Sequence, residues 1–420
     1  MFLSKPLLAI AFLALTPASI FAQADVVEIP TVSPAEVGMS AEKLAKVDLA
    51  MKELVEQKRI PGGIVMVARH GKVVHFEAYG LRDIENKTAM QKDSIFRIYS
   101  MTKSIATAAA LMLHEEGKLN VNDPVSKYLP ELKELRVIKG EEVESATREM
   151  TIADLMRHTS GYGYSWEGNP VFDEAFKKVD PLNTKVPLSR MQSRLGELPL
   201  LFEPGTDWVY GISIDVLGRV IEVASGQTLL SFLDERLFKP LDMKDTGFHV
   251  PADKVDRFAN NYNSDSKGEL SIKDDAKKSR YLQRPQFEGA GGGLVSTARD
   301  YMRFLLMIQG DGEFQGHRYL KPETVAMMKT NQVPESAGWV KFGNEVREGV
   351  GFSFGFSVRV KMSDWDPDGR VGEYGWGGAA STHYWVSPKD DLSVITLEQV
   401  MPYSFLTELK IKGLVYDAIE

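Results

Sequence analysis

Apolar and polar positions follow two periods along the chain, one helical and one extended. Helical spacing over residues 41–58 predicts a first helix. Two strand-like runs follow at residues 63–69 and 73–80, and a predicted turn at residues 70–72 joins them into a hairpin. The apolar stripe of the first helix consists of Leu44, Val47, Met51, Leu54 and Val55.

Helical patterns dominate residues 100–295, and extended patterns return near the end of the chain. Strands at both ends with helices between them predict an α/β fold. In it, N- and C-terminal segments build one antiparallel sheet flanked by helices, and a mainly helical region is inserted. Further helices are predicted at residues 214–225, 297–309 and 406–419, and strands at residues 352–360, 379–386 and 392–397.

The first 24 residues have the pattern of an export signal. Lys5 precedes a short apolar core at residues 7–15, and Ala22-Gln23-Ala24 forms an A-x-A cleavage site. The apolar core is too short to span a bilayer, and no later run is long enough. We expect an exported protein, periplasmic or secreted, with no membrane span after cleavage.

Residues 25–420 are predicted to form a single domain. The sequence shows no repeat and no linker rich in Pro, Gly or Ser that would separate independent units. We place its α/β part at about residues 35–110 and 295–420, and its helical part at about residues 111–294.

The composition of the chain argues against several classes of function. The chain has 58 acidic and 50 basic side chains, a formal charge of −8 and no basic run, which argues against nucleic-acid binding. It has no cysteine and therefore needs no disulfide. His114-Glu115-Glu116 lacks the second histidine of a zinc-protease helix, and His158 is expected to cap carbonyls or to pack. We predict neither a metal nor a cofactor.

The strongest candidate chemistry is Ser100-Met101-Thr102-Lys103, at the head of an apolar run with a helical pattern. On a helix, residues three apart share a face, so the Ser100 hydroxyl and the Lys103 amine can meet. If burial lowers the pKa of Lys103, its neutral amine can help to activate the serine as a nucleophile. The spacing alone is equally that of a helix N-cap serine and a solvated lysine.

Two other S-x-x-K spacings occur in the chain. Ser40 and Lys43 open the first helix, and we interpret Ser40 as its N-cap. Ser264 and Lys267 lie in the polar stretch of residues 260–275, which is predicted to be a solvated loop. Of the three lysines, only Lys103 has enough apolar sequence around it to be buried.

A competing serine lies in residues 351–355 (GFSFG), which match the G-x-S-x-G nucleophile elbow. That elbow needs a strand before the serine and a helix after it. Residues 352–360 instead alternate as one strand throughout. Ser353 is therefore predicted to be a residue in the middle of a strand, with no sharp turn.

Five segments share an order and spacing that form a specific pattern. They are residues 100–103 (SMTK), 151–161 (TIADLMRHTSG), 203–210 (EPGTDWVY), 289–300 (GAGGGLVSTARD) and 376–378 (WGG). Together they resemble the serine β-lactamase and penicillin-binding-protein superfamily. Within it, the chain is most similar to class C β-lactamases and family VIII carboxylesterases.

This resemblance implies roles for individual residues. Ser100 would be the nucleophile, Lys103 its helix partner, and Tyr210 the tyrosine of the Y-x-N motif, sharing a proton with Lys103. The backbone N–H groups of Ser100 and Ala379 would form the oxyanion hole. Ile212 stands where the motif has asparagine.

The K-T-G strand motif of the superfamily is replaced by Trp376-Gly377-Gly378, as in the family VIII esterases. Without that lysine and threonine, affinity for an anionic β-lactam should fall, whereas Trp376 offers an apolar wall to neutral esters. The aromatic residues after the H-T-S-G turn either line the mouth of the substrate cleft or pack in the helical region; they are Tyr162, Tyr164 and Trp166.

We therefore predict a serine carboxylesterase that cleaves a small-molecule ester through a Ser100 acyl-enzyme, with Lys103 and Tyr210 as general acid and base. The same site has alternatives: β-lactamase, D-amino-acid peptidase or amide hydrolase, and acyl transfer to an alcohol or amine. A non-catalytic penicillin-binding-like module is a further alternative, which the complete Ser–Lys–Tyr set disfavours.

Overall fold

The computed structural model describes residues 28–420, so the predicted export signal lies outside the described residues. An eight-stranded sheet forms the centre of the described chain, in the order β4-β5-β6-β7-β8-β1-β2-β3, with every neighbouring pair antiparallel. Its strands are β1 (Gly62–Arg69), β2 (Lys72–Asp83), β3 (Thr88–Ala89), β4 (Val350–Phe352), β5 (Ser357–Arg359), β6 (Tyr374–Gly378), β7 (Thr382–Ser387) and β8 (Leu392–Leu397).

The two ends of the chain meet in this sheet where β1 pairs with β8, with Ile64 opposite Leu397. The prediction of one antiparallel sheet built from N- and C-terminal segments is therefore confirmed. The α-helices are α1 (Ala41–Glu56), α2 (Thr102–Glu115), α3 (Ile152–Met156), α4 (Pro170–Val179), α5 (Met191–Leu195), α6 (Ser213–Ser225), α7 (Leu229–Leu233), α8 (Ala298–Gln309), α9 (Pro322–Lys329) and α10 (Leu406–Asp417).

Helices cover both faces of the sheet, because side chains of a strand alternate between its faces. Val65 and Val67 of β1 pack with α1 and α10, whereas Ile64 and Met66 pack with α2 and α8. Helix α2 is buried along nearly its whole length, between the sheet and the helical region. The predicted catalytic pair at its start is thus held by the best-packed part of the molecule.

The start of α1 accounts for one of the other S-x-x-K spacings. The Ser40 hydroxyl accepts a hydrogen bond from the Lys43 backbone N–H at 3.3 Å, which confirms Ser40 as the N-cap. Thr297 caps α8 in the same way through the Asp300 N–H at 3.2 Å. These polar residues mark helix starts and carry no chemistry.

The polar stretch of residues 260–275 is a hairpin, which corrects its assignment as a loop. Strands Asn261–Ser264 and Leu270–Asp274 pair antiparallel, and Val400–Met401 adds a third strand to them. Lys267 lies exposed at the hairpin turn, as predicted. Four further strand pairs are Phe96–Arg97 with Val295–Ser296, Arg136–Lys139 with Glu142–Ser145, Glu313–Phe314 with His317–Arg318, and Lys341–Phe342 with Glu345–Val346.

Residues 352–360 are two strands, β4 and β5, rather than one continuous strand, so the placement of Ser353 in the middle of a strand is wrong. Its backbone N–H donates to Phe356 O at 2.8 Å, and Gly355 at φ +96° completes a tight turn. The Ser353 hydroxyl is buried and donates to the Met328 carbonyl at 2.5 Å, and a strand follows the turn instead of a helix. Ser353 still lacks the geometry of a nucleophile elbow.

The predicted strand at residues 379–386 begins later, at Thr382, because Ala379 lies in the turn between β6 and β7. Within residues 28–420, no single helix has the length and hydropathy needed to cross a bilayer. The bent pair Ser213–Ser225 and Leu229–Phe238, which meet at 75°, satisfies those two criteria only when its halves are taken together.

Candidate active site

Ser100 lies in a strained turn between the strand Phe96–Arg97 and α2. Tyr99 has φ +41°, an uncommon backbone conformation for a bulky residue, and a short 3-10 turn follows at Tyr99–Met101. The end of β6 packs against this turn. A Cβ atom on Gly378 would lie 2.4 Å from the Ile98 carbonyl oxygen, so only glycine permits the approach. Ser100 is thus presented from a turn, and it is not a simple helix N-cap.

Lys103 is fully buried one helical turn from Ser100, as its apolar surroundings predicted. Its Nζ donates to the Gly291 carbonyl at 2.6 Å, to Ser100 Oγ at 3.3 Å and to Tyr164 Oη at 3.4 Å. It also lies 4.7 Å from the ring centroid of Tyr210. The three tetrahedral donor positions of an ammonium group are therefore occupied, and one of them points at the Ser100 hydroxyl.

The groups around Lys103 favour its charged form. Burial lowers the pKa of Lys103, but Tyr164, Tyr210 and the carboxylate of Asp215 outweigh burial and raise the pKa above the usual lysine value. The condition for a neutral amine, a pKa lowered by burial, is therefore not met. As an ammonium group, Lys103 donates to Ser100 and stabilises negative charge nearby, which leaves the role of proton acceptor to another group.

Tyr210 also lies next to Lys103, within an aromatic cluster. Its hydroxyl oxygen accepts a hydrogen bond from Trp376 Nε1 at 3.3 Å. The ring of His158 lies behind it, with centroids 5.0 Å apart. Burial and then the charge of Lys103 lower the pKa of His158 well below its usual value, so this histidine is neutral. As predicted, His158 packs in the core, and it adds no second cation next to Tyr210.

The structure changes the role expected of Trp376. Its indole N–H contacts the Tyr210 hydroxyl, and the residue packs against Tyr210 with centroids 5.3 Å apart. Trp376 and Gly377 also line a small cavity of about 50 Å³. Trp376 therefore donates a hydrogen bond to the Tyr210 hydroxyl. The sequence predicted Trp376 only as an apolar wall and did not predict this contact.

A larger cavity of about 640 Å³ opens beside Ser100. Ser100 and Ala379 both line it, which places the two predicted oxyanion-hole residues at the same cavity. Tyr164 and Trp166 line it as well, with rings 4.4 Å apart, and Trp166 is 66% exposed. The volume is in the usual range for small-molecule sites.

Tyr162 does not belong to this cleft, which corrects its assignment to substrate binding. Its side chain is fully buried among the residues of the helical region, and its hydroxyl donates to the Leu195 carbonyl at 3.2 Å. Ile212 is also fully buried, so the position of the missing Y-x-N asparagine is filled by an apolar core residue.

The sequence interpretation missed Asp215, in the first turn of α6. Asp215 Oδ1 accepts from the Gly291 N–H at 2.9 Å, and the Gly291 carbonyl accepts from Lys103. Burial raises the pKa of this carboxyl, and the charge of Lys103 and the Gly291 N–H oppose that rise. A Cβ on Gly291 would meet Asp215 Oδ2 at 2.2 Å, so the G-A-G-G-G segment provides the close approach. Asp215 thereby anchors the N–H side of Gly291, the residue whose carbonyl accepts from Lys103.

Taken together, the Ser100 hydroxyl lines the cavity, and the buried Lys103 amine and the rings of Tyr164 and Tyr210 lie next to it, which is an arrangement suited to nucleophilic acyl chemistry. Within residues 28–420, no group of three or more His, Cys, Asp or Glu residues is placed to hold a metal ion.

Comparison with known proteins agrees with this geometry. A family model described as Beta-lactamase matches residues 47–409. Esterase EstB of Burkholderia gladioli is 31% identical over 388 residues, which cover 87% of this chain and 93% of EstB. Protein Rv1367c of Mycobacterium tuberculosis is 34% identical over 362 residues, which cover 84% of this chain and 89% of that protein.

Among solved structures, EstCE1, described as a hydrolase with promiscuous acyltransferase activity, superposes with a TM-score of 0.78 at 26% identity. The match covers 89% of this chain and 99% of EstCE1. The resemblance inferred from the five sequence segments is thus confirmed. The chain belongs to the β-lactamase family, in the serine β-lactamase and penicillin-binding-protein superfamily, and shares its fold with esterase and acyltransferase relatives.

Proposed function

We propose that the protein hydrolyses carboxylic esters through an acyl-enzyme on Ser100. The observation that carries this proposal is the buried Lys103 ammonium group, which is hydrogen-bonded to the Ser100 hydroxyl at the wall of a 640 Å³ cavity. Burying a charge is costly, so a module that only packed or bound a partner would gain nothing from this arrangement.

In the first half of the reaction, Ser100 Oγ attacks the ester carbonyl carbon and its proton passes to the Tyr210 phenolate. The Lys103 ammonium group and the Trp376 N–H are placed to stabilise negative charge on the Tyr210 oxygen during the transfer. The N–H groups of Ser100 and Ala379 hold the oxyanion of the tetrahedral intermediate. As the intermediate collapses, the bond to the alkoxide breaks, and Tyr210 returns the proton to the leaving alcohol.

In the second half, water gives its proton to Tyr210 and attacks the acyl carbon. The bond to Ser100 Oγ breaks, Ser100 takes the proton back, and the carboxylic acid leaves. An alcohol in place of water would make the reaction an acyl transfer. The described activity of EstCE1 favours that as a second reaction of the same site.

Esters rather than β-lactams are favoured because Trp376-Gly377-Gly378 of β6 offers neither a lysine nor a hydroxyl. A comparison of three substrates tests this choice: 4-nitrophenyl butyrate, nitrocefin and a D-Ala-D-Ala peptide. We expect kcat/KM for the ester to exceed that for either amide by at least about 100-fold, equivalent to about 2.7 kcal/mol of transition-state stabilisation. Faster turnover of nitrocefin or the peptide would assign the site to amide chemistry instead.

The substitution Asp215→Asn keeps an acceptor for the Gly291 N–H but removes a negative charge near Lys103. Because that charge helps to raise the pKa of Lys103, the pKa should fall in the variant, and the basic limb of the kcat/KM profile should move to lower pH. Since the pKa of Lys103 starts above the usual lysine value, the group stays protonated at pH 8, so kcat there should change by less than about threefold, and the loss of kcat/KM should appear at the alkaline end of the profile. Ester hydrolysis followed from pH 6 to 10.5 measures both effects. An unchanged limb with reduced kcat would indicate a purely structural role.

A further inference from the structure

The mouth of the 640 Å³ cavity carries a charge opposite to that of the whole molecule. The chain has a formal charge of −8. The charged side chains that line the cavity are nevertheless three cations, Lys185, Arg280 and Arg284, and one acid, Asp215. Asp215 is buried and committed to the Gly291 N–H, so it does not neutralise the cations at the mouth.

Two of these cations lack a carboxylate partner within the described part of the chain. Arg284 is paired with Glu288 at 3.0 Å, but no salt bridge engages Lys185 or Arg280 among residues 28–420. The Arg280 guanidinium lies 5.2 Å from the ring centroid of Tyr281, which restrains the side chain without supplying a carboxylate partner. Both cations are exposed and available to a ligand.

The surroundings of these cations are aromatic and apolar. Tyr281, Phe287 and Leu182 line the same cavity, next to Trp166 and Tyr164. Cations above an apolar wall suit a ligand with an apolar body and one anionic end. The arrangement does not suit a nucleic acid, which needs an extended basic surface.

We propose that the preferred substrate is an ester that carries a free carboxylate away from the scissile bond, with Arg280 and Lys185 holding that carboxylate at the cavity mouth. The inference rests on the proposed ester hydrolysis. Arginine binds a carboxylate through two parallel N–H donors, and a nearby lysine adds a third. The cation missing from Trp376-Gly377-Gly378 is thereby supplied by a different part of the cleft, segments 182–185 and 280–287.

The test compares 4-nitrophenyl hydrogen adipate with its methyl ester, which differs only in the free carboxylate. Wild-type protein should turn over the carboxylate ester with a kcat/KM about tenfold higher, mainly through a lower KM. In the double variant Arg280→Gln/Lys185→Gln, kcat/KM for the carboxylate ester should fall about 10- to 30-fold, and that for the methyl ester should stay within about twofold. Raising the salt from 20 mM to 500 mM should reduce the preference of the wild type.

The matched control is Lys52→Gln/Arg59→Gln. It removes one lysine and one arginine from exposed positions on and after α1, outside the cavity lining. This control changes the net charge equally and should leave both rates unchanged. If it lowers the carboxylate preference as much as Arg280→Gln/Lys185→Gln does, the effect is long-range and the proposed contact is wrong.

Two further outcomes are informative. Equal rates for the two esters in the wild type, unaltered by Arg280→Gln/Lys185→Gln, would overturn the inference and leave ester hydrolysis standing.

If neither ester is hydrolysed, the proposed function fails, and calorimetric binding of the 4-nitroanilide of adipic acid still tests the carboxylate site. Tighter binding of that anilide than of its methyl ester, lost in Arg280→Gln/Lys185→Gln, supports the site. Equal binding contradicts it.

Discussion

Replacing Ser100 with alanine is expected to lower kcat for 4-nitrophenyl butyrate by about 10⁴-fold or more. The reason is that the proposed reaction passes through a covalent bond to Ser100 Oγ, and within residues 28–420 no other serine hydroxyl both accepts from Lys103 Nζ and lines the cavity. Lys103 and its remaining contacts to Gly291 and Tyr164 do not depend on the serine, so the variant should fold normally.

The matched control for this variant is Ser353→Ala, which changes the serine of the competing G-x-S-x-G segment. Its hydroxyl lies in the turn between β4 and β5 and donates to the Met328 carbonyl of α9. We expect a loss of stability of about 1 kcal/mol and little change in kcat. Activity that survives in Ser100→Ala but disappears in Ser353→Ala would show that the nucleophile has been assigned to the wrong serine.

Replacing Tyr210 with phenylalanine should lower kcat by about 10²- to 10⁴-fold, the usual contribution of a general acid–base group. Phenylalanine keeps the ring, and therefore the packing against His158 and Trp376, but removes the oxygen that moves the proton. The KM for the ester should change much less than kcat, because the Tyr210 phenol acts in the transition state. Steady-state kinetics with thermal unfolding as the folding control measures both.

The substitution Tyr164→Phe distinguishes the roles of Tyr164 and Tyr210, the two tyrosines next to Lys103. Both phenols lie close to the ammonium group, but burial raises the pKa of Tyr164 despite the charge of Lys103, so Tyr164 stays protonated and is a poor base. Removing its hydroxyl deletes one hydrogen bond to Lys103, and we expect a loss of about tenfold or less. If Tyr164→Phe proves more damaging than Tyr210→Phe, Tyr164 is the proton carrier and the proposed mechanism has to be reassigned.

The contact between Ser100 and Lys103 was predictable from sequence because its geometry is local. Ser100 and Lys103 are three residues apart at the start of a helix, and the apolar run that follows them predicts that Lys103 is buried. Helix α1 and strands β1, β2 and β8 were predictable for the same reason, since their periodicity reflects the face that each element buries.

The contacts that determine the charge of Lys103 were not predictable in this way. Asp215 reaches Lys103 through the peptide of Gly291, a residue far from both in the chain. Its only local signal was a carboxylate in the first turn of an apolar helix, where acidic residues are common in any case. Burial alone would lower the pKa of Lys103, but these distant neighbours outweigh burial and raise it.

The turn at residues 353–356 shows a second limit. Alternating phenylalanines predicted a single strand, but Phe352 and Phe354 are buried in different clusters, and the chain reverses in a turn that contains Gly355, directly after Phe354. A Cβ on Gly355 would lie 3.0 Å from Thr107 Cβ, so helix α2 selects glycine at this point. Such a contact between distant segments leaves no periodic signal in the sequence.

Mass spectrometry of the protein quenched during turnover of 4-nitrophenyl butyrate tests the central claim most directly. We expect a mass increase equal to one butyryl group, located by peptide mapping to the peptide that contains Ser100 and absent from Ser100→Ala. Tyr210→Phe should accumulate this adduct more slowly. A butyryl group on any other residue, or turnover of the ester with no covalent adduct after rapid quenching and no labelling of Ser100 by a fluorophosphonate, would contradict the acyl-enzyme mechanism.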